Sequence, residues 1–490
     1  MRKHASLSTR EPNSQRRITP SNQPGKDCYT FLRYVRKKEP TRNHVAASPA
    51  PARELKRTLG RKDLIVYGLA ILTPTGVYAV YGVVSQVSNG HAALSYLAAM
   101  FAMLFTAASY GKMATAFPTA GSTYSYARRA IHPVVGFLAG WSMMLDYVLV
   151  PLLSSIFVSL TAHRLVPAVP FTAWALLFCT AITVVNVCGM QVTKRVNEIM
   201  LFLMCLSAAW FVLAAILHGG SPPGLLRPEA IYNPATFAIG PLMLGAGIAT
   251  LSYLGFDAVS TLAEEAKNPR SDIAFATVFV CVMQTMICFL IAYLATIVWP
   301  AEKPLPEVET AILDISRLTG GESLFAFNTV VVLVAAVASS LASVAGASRM
   351  LFGMGRDRTL PPALFAHLST RFATPVRSIV LMGALAFLGS LFISFQQVVE
   401  LVNFGAFAGF VLVNCSVIAH FYITKRERTG THLFTNLLFP ALGATICMYI
   451  WFSLSTGART AGFAWLATGL LYLAFLTKGF SQPVGETEFR

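Results

Sequence analysis

Two aspartates lie inside long apolar segments of this 490-residue chain. Asp257 belongs to the stretch LSYLGFDAVSTLAEEAKNP, which begins at Leu251 within an apolar segment of about residues 235–262. Asp146 is near the centre of a second segment, in GWSMMLDYVLVP. An Asp at the centre of a membrane helix costs about 2.5–3.5 kcal/mol on insertion scales. Each carboxylate is therefore expected to face protein or water and to serve a function.

The position of Asp257 allows two interpretations. If the helix breaks at Gly255, Asp257 begins the following half-helix, where it could cap backbone N–H groups and complement the helix dipole. Alternatively, its carboxylate contacts a proton or a cationic group of a substrate. The neighbouring rings of Tyr253 and Phe256 could close over a solute or stack on an ammonium group, or they could simply pack.

Asp146 is far from either end of its segment, so helix capping does not explain it. A carboxylate in the middle of a membrane helix needs a polar partner or a water-filled cavity. Either Asp146 handles substrate or a proton, or it makes a structural hydrogen bond to a neighbouring helix.

A second interruption lies in the first apolar segment, DLIVYGLAILTPTGVYAVYGVVSQV, at Thr73, Pro74, Thr75 and Gly76. Pro74 removes a backbone donor, and Gly76 permits unwinding or the close approach of a ligand. A simple proline kink would also explain the pattern. Two interrupted helices in corresponding positions of two halves are, however, typical of a transporter binding site.

The composition, with 55% hydrophobic and 12% charged residues, is that of a membrane protein. Since about 20 apolar residues cross a bilayer, we predict an all-α membrane protein with twelve transmembrane helices. Their approximate bounds are 64–88, 92–116, 131–160, 171–191, 196–218, 235–262, 272–299, 322–352, 376–395, 397–423, 433–455 and 460–477.

The basic residues predict the orientation. With the N-terminus in the cytoplasm, the outer connections hold only five of the 38 Lys and Arg residues, a strong positive-inside pattern. Both termini are therefore predicted to be cytoplasmic. Residues 1–60 are expected to form a disordered basic tail, residues 61–478 the membrane domain and residues 479–490 a second tail. The outer basic residues are Arg164, Arg227, Lys303, Arg317 and Arg459.

No enzyme motif is visible. The chain has no HExxH pair, no GxxxxGK[ST] phosphate loop, no CxxC metal set and no GxSxG elbow. We therefore expect no enzyme activity, cofactor, metal site or nucleic-acid partner, and we predict a secondary transporter. A solute sensor that binds without translocating is the alternative. Glu264 and Glu265 could form a gate with basic residues such as Lys112 or Arg61, or lie at a solvated helix end.

Three stretches resemble the amino acid–polyamine–organocation superfamily of permeases, over roughly residues 55–478. They are SYGKMATAFPTAGSTYSYARRAIHPVVGFLAGW from Ser109, LGFDAVSTLAEEAKNP and SRMLFGMGRDRTLP. The resemblance implies a leucine-transporter-like 5+5 inverted repeat, with discontinuous helices 1 and 6 and the substrate between their unwound parts. The repeats would span about residues 64–218 and 235–423, followed by peripheral helices at about 433–477.

One departure from this family concerns the first break. Amino-acid-transporting relatives usually carry a Gly-small-Gly run there, whereas this chain has TPTG. The TPTG break, the NGH at Asn89 and WSMMLDY resemble the putrescine-importer branch. The resemblance thus implies a cell-membrane permease for amino acids or polyamines, with a putrescine-like amine slightly favoured. It also leads us to expect proton coupling.

Overall fold

The computed structural model describes residues 59–118, 122–189, 194–219, 226–264, 266–300, 303–356, 361–369, 372 and 374–479. These residues lie in one compact unit, residues 55–490. Within those ranges the chain is helical and forms no β-sheet beyond an isolated bridge between Leu59 and Ala266. The all-α prediction is confirmed.

The helices follow one another along the chain with short connections. They are α1 (Arg61–Leu72), α2 (Gly76–Val87), α3 (Ala92–Ala116), α4 (Ser122–Ala130), α5 (Pro133–Leu165), α6 (Phe171–Val187), α7 (Lys194–Gly219), α8 (Ile239–Ala249), α9 (Ala258–Thr261), α10 (Pro269–Val298), α11 (Ala311–Arg356), α12 (Pro362–Phe365), α13 (Val376–Phe392), α14 (Phe395–Val417), α15 (Thr431–Leu433), α16 (Phe439–Ser453) and α17 (Thr456–Leu476).

Short 3₁₀ and π segments extend several of these helices. Turns of 3₁₀ helix occupy Pro228–Ala230, Thr250–Tyr253 and Leu262–Glu264. A π segment, Ile418–Thr424, prolongs α14, and another, Phe434–Leu438, joins α15 to α16. The helix α11 is interrupted at Gly321, whose φ is 70°.

Nine helices in the described part of the chain are long and apolar enough to cross a membrane, and the bent pair α1–α2 makes a tenth. The helices α6 and α13, with 17 residues each, lie where the fourth and ninth spans were predicted. Seventeen residues rise about 26 Å, slightly less than the ~30 Å hydrocarbon core. The chain is thus a multi-pass membrane protein, while the count of twelve spans and the inverted repeat stay predictions.

The first helix break lies at the predicted residues. α1 and α2 meet at a bend of 48°, and Thr73 between them has φ 52° and ψ 98°. The ring of Pro74 disfavours the α conformation at the preceding residue, which explains why Thr73 leaves the helix.

The second break is also at its predicted place. The helix α8 tightens into a 3₁₀ turn that ends at Tyr253, Leu254 is extended, and Gly255 has φ 110°. Only glycine adopts such a φ without strain. The chain then resumes as α9 directly after Asp257.

Close helix packing surrounds these breaks. A Cβ added at Gly111 of α3 would lie 2.7 Å from Cα of Ala274 in α10, so the absence of a side chain lets the two backbones approach. On the other flank, Ser142 of α5 donates a 3.0 Å hydrogen bond to the carbonyl of Gly405 in α14. These two helix pairs hold the broken segments in place.

Candidate functional site

The two breaks contact each other. A Cβ added at Gly255 would overlap Cγ2 of Ile71, which lies just before the first break. A Cβ added at Gly76 would lie 3.6 Å from Cα of Ser252. The unwound parts of the first and sixth predicted spans therefore form one site, as the sequence led us to expect for residues 73–76 and 253–257.

Gln284 of α10 connects to the first break. Its Nε2 donates to the carbonyl oxygen of Thr73 across 3.2 Å, and Gly76 N donates to the same oxygen across 2.7 Å. Gln284 is fully buried, and its Oε1 has no hydrogen-bond partner in the described part of the chain. Sequence reasoning missed this residue, although a lone glutamine in an apolar helix was a usable signal.

Asp257 precedes α9, but its side chain makes no capping hydrogen bond to that helix. The N–H groups of Gly255 and Ala258 attract the carboxylate electrostatically. Ser260 bonds instead to the main-chain carbonyl of Asp257, from N at 2.9 Å and from Oγ at 2.6 Å. The capping interpretation is therefore not supported by a cap bond, and the carboxylate is partly exposed beside the break.

Asp146 lies in the middle of α5 and is within electrostatic range of Asp257. Both carboxylates are partly exposed, and neither pairs with a cation among the described residues. The adjacent Tyr147 is 42% exposed and lies against Gly346 of α11, 3.4 Å from where a Cβ would stand. The structure thus brings together two uncompensated carboxylates that are far apart in sequence.

Aromatic rings surround the Asp257 side of the site. Phe256 is fully buried and packs at 5.5 Å against Tyr110 and at 5.3 Å against Phe410. The hydroxyl of Tyr110 is 2.5 Å from that of Thr123, while the buried hydroxyl of Tyr126 has no hydrogen-bond partner in the described ranges. Sequence reasoning missed both tyrosines, because their approach to Phe256 depends on how α3 and α4 pack.

Two of the proposed contact residues are enclosed in this conformation. Tyr253 is fully buried and donates its hydroxyl hydrogen to the carbonyl of Tyr96 across 3.0 Å. Thr75 is 3% exposed, and Pro74 is buried. These side chains shape the break, whereas Thr73, Gly76 and Asp257 are partly exposed.

The proposed gate carboxylates fall outside what the structure describes. Glu264 ends a 3₁₀ turn, but its side chain is not among the described atoms, and Glu265 lies outside the described residues. Two of the suggested basic partners have other contacts. Arg61 pairs with Asp272 at 3.0 Å, and Lys112 donates to Thr435 and Asn436.

Comparison with known proteins settles the family. The family profile described as amino acid permease matches residues 63–479. The chain belongs to the amino acid permease family. The resemblance to the amino acid–polyamine–organocation superfamily is therefore confirmed, and the members of this family are transporters rather than enzymes.

Three relatives illustrate the range of this family. The chain is 32% identical over 445 residues to the low-affinity putrescine importer PlaP of Escherichia coli K12, covering 89% of this chain and 97% of the relative. It is 25% identical to the branched-chain amino acid permease BcaP of Bacillus subtilis, with 89% and 97% covered. It is 26% identical to the methylthioribose transporter of B. subtilis, with 88% and 96% covered.

Proposed function

We propose that this permease imports a small organic amine, with a putrescine-like diamine favoured, by proton-coupled alternating access. The observation that carries the proposal is the pair Asp146 and Asp257, which interact at the helix breaks without a cationic partner among the described residues. Two nearby carboxylates repel each other when both are ionised. A ligand with two ammonium groups relieves this repulsion and compensates both charges.

The backbone of the breaks favours an amine over an amino acid. An amino acid needs free N–H groups for its carboxylate, as discontinuous helices supply elsewhere. Here Gly76 N donates to Thr73 O at 2.7 Å, and Tyr78 N donates to Thr75 O at 2.9 Å. The single glycine of TPTG therefore does not provide an open cradle of backbone donors, and recognition by carboxylates is the better fit.

Aromatic residues add a second element of amine recognition. Phe256 and Tyr110 lie edge to face beside Asp257, and ring faces attract ammonium groups. Their packing holds the rings in fixed positions. The 32% identity to a putrescine importer supports the same substrate class.

The exposure of the broken helix supports alternating access. In α1, Val66 is 38% and Tyr67 is 39% exposed, whereas most of α2 is buried. On the α2 side, the hydroxyls of Tyr81 and Thr296 are 3.1 Å apart. With the α1 end in the cytoplasm, as the positive-inside rule requires, this arrangement corresponds to an inward-open state.

The two carboxylates also provide a route for proton coupling. When the substrate leaves, the pair loses its compensating charges, and binding of a proton relieves the remaining repulsion. The carboxylates would exchange that proton with whichever side of the membrane the site faces. The proposal places the protein in the cell membrane with both termini in the cytoplasm, and retains twelve spans in two inverted repeats.

Transport by purified protein tests this function. Proteoliposomes with an imposed pH gradient, acidic outside, are offered labelled putrescine or labelled amino acids. We expect putrescine uptake that collapses when a protonophore removes the gradient. Uptake of amino acids without putrescine would overturn the diamine assignment while leaving the site in place. Tight putrescine binding without any uptake would instead support the sensor alternative.

A further inference from the structure

A cavity of about 410 Å³ lies away from the helix breaks, between α3 and the segment that begins at α15. Its polar lining includes Lys112, Glu427, Thr431, His432 and Thr435. Phe439 contributes to its apolar wall. We call this cavity the α3–α15 pocket, and nothing in the proposed transport cycle uses it.

Lys112 supplies the central charge of the pocket. Its ammonium donates to Thr435 Oγ1 at 3.0 Å and to Asn436 Oδ1, and it lies 4.9 Å from the centre of the Phe421 ring. The ammonium of Lys425 lies at the same distance from that ring. In the described part of the chain, no carboxylate is within 4.0 Å of Lys112.

The connection beside the pocket is strongly basic. Lys425, Arg426 and Arg428 are exposed there, and Glu427 is the single acidic residue between them. The carboxylate of Glu427 is 3.5 Å from Asn436 Nδ2, and the same nitrogen donates to the Glu427 carbonyl at 2.9 Å. Glu427 therefore orients Asn436, while the surrounding charge favours an anion.

An apolar surface continues from the pocket toward the hydrocarbon region. On α3, Phe101, Phe105 and Ala108 share a face with Lys112 because they are spaced four, three and four residues apart. Phe105 packs at 5.6 Å on Phe439. Large apolar side chains along this surface are exposed; they are Phe101 (53%), Leu438 (40%), Phe439 (42%) and Leu442 (48%).

We propose that the α3–α15 pocket binds the phosphate of an anionic phospholipid, such as phosphatidylglycerol, from the leaflet on its side of the membrane. The phosphate oxygens accept from Lys112 and the hydroxyls of Thr431 and Thr435, and the acyl chains lie along Phe105 and Phe439. Basic pockets between transmembrane helices on the cytoplasmic side bind such headgroups. The pocket combines the two required features, an unpaired cation and an adjoining surface that needs hydrocarbon.

Lipid titration of the full-length protein tests this site. Delipidated protein in a neutral detergent is titrated with phosphatidylglycerol or phosphatidylcholine, and bound lipid is counted by native mass spectrometry while the Tm is recorded. Ligand binding to the folded state raises the Tm. We expect phosphatidylglycerol to bind and to raise the Tm more than phosphatidylcholine does.

Variants locate the binding. Removing one basic residue near the headgroup should weaken phosphatidylglycerol binding about fivefold. Lys112→Gln and His432→Gln should therefore reduce the preference, Lys112→Arg should keep most of it, and Lys303→Gln, in the predicted outer connection, should leave it unchanged. If Lys112→Gln unfolds the protein, Thr435→Val removes a proposed phosphate donor and takes its place in the comparison.

Two outcomes contradict the proposal. Equal binding of the two lipids, or an unchanged preference in folded Lys112→Gln protein, would show that the pocket does not select an anionic headgroup. Glycerol phosphate serves as the water-soluble probe. If it raises the Tm as much as the lipid does at equal concentration, the pocket takes a soluble phosphate and the lipid assignment is wrong.

Discussion

Gln284 Nε2 donates a hydrogen bond to the carbonyl oxygen of Thr73, which joins α10 to the break between α1 and α2. Thr73 has left the helical conformation, so its carbonyl points away from the regular ladder of the helix. A carbonyl freed by an unwound turn in a membrane protein requires a partner within the protein or in water. Gln284 is thus a positioning residue, because it holds the break without touching the substrate.

Replacement of Gln284 by Leu should slow transport without preventing folding. A buried hydrogen bond contributes about 1 kcal/mol, and a loss of that size from the transport barrier corresponds to about fivefold in rate. Initial rates of putrescine uptake, normalised to reconstituted protein, measure this effect. We expect a lower maximal rate with a smaller change in KM.

The control for this substitution lies on the same helix. Met286→Ala removes a side chain that is 59% exposed on the outer surface of α10, and should leave the rate unchanged. Wild-type rates in Gln284→Leu protein would show that the hydrogen bond to Thr73 does not limit transport.

The carboxylate pair predicts coupled effects on substrate recognition. Removing one partner of a desolvated charge pair typically costs about 2–5 kcal/mol. Asp257→Asn and Asp146→Asn should therefore each weaken putrescine binding at least about 25-fold, and the double variant should lose less than the sum of both effects. Binding of labelled putrescine to purified protein measures this directly.

A surface carboxylate provides the comparison for these variants. Glu322→Gln changes a side chain that is 75% exposed and pairs only with Arg317 at the surface, so putrescine binding should be retained. If both aspartate variants bind putrescine normally, carboxylate recognition of the amine is excluded.

Gly255 should tolerate no side chain. Its φ of 110° strains any other residue by about 1–3 kcal/mol, and a Cβ would overlap Ile71. Gly255→Ala should therefore lower both the Tm and the uptake rate. Combining it with Ile71→Ala relieves the overlap but not the backbone strain, so we expect partial recovery.

The matched substitution in the same span is Gly240→Ala. A Cβ at Gly240 meets no atom within 4 Å, so Tm and uptake should stay at wild-type values. A Gly255→Ala protein as stable and active as this control would show that the sharp turn between α8 and α9 is not required.

The sequence revealed the two breaks because their causes are local. Pro74 acts on the residue before it, and Gly255 supplies a φ that other residues avoid. The apolar runs likewise predicted the helices, although α6 and α13 are shorter than expected. Asp146 and Asp257 were recognised individually because charges are costly in hydrocarbon.

The assembled site was harder to predict because it depends on tertiary packing. The contact of Gln284 with Thr73 joins residues 211 positions apart, and no pattern in either segment specifies it. The hydroxyl of Tyr253 is similarly taken by the carbonyl of Tyr96 on α3. Composition and spacing identify which residues are unusual, whereas helix packing decides which of them meet.

The ion pair between Arg61 and Asp272 predicts unequal effects for its two partners. The side chain of Arg61 is 50% exposed and that of Asp272 only 7% exposed, at an N–O distance of 3.0 Å. Arg61→Gln leaves a buried carboxylate without its cation, whereas Asp272→Asn leaves an arginine that water can solvate. Uptake and Tm should therefore fall more in Arg61→Gln than in Asp272→Asn.

The pair also attaches the start of α1 to α10, so exchanging the charges should recover part of the loss. Arg61→Asp combined with Asp272→Arg is the test, and the Arg317–Glu322 pair, 2.8 Å apart and largely exposed, is the control. Because surface ion pairs contribute about 0–1 kcal/mol, the same exchange at Arg317 and Glu322 should change neither Tm nor uptake. If the exchange at Arg61 and Asp272 recovers nothing relative to the single variants, the attachment depends on the local backbone bonds around Leu59 rather than on this ion pair.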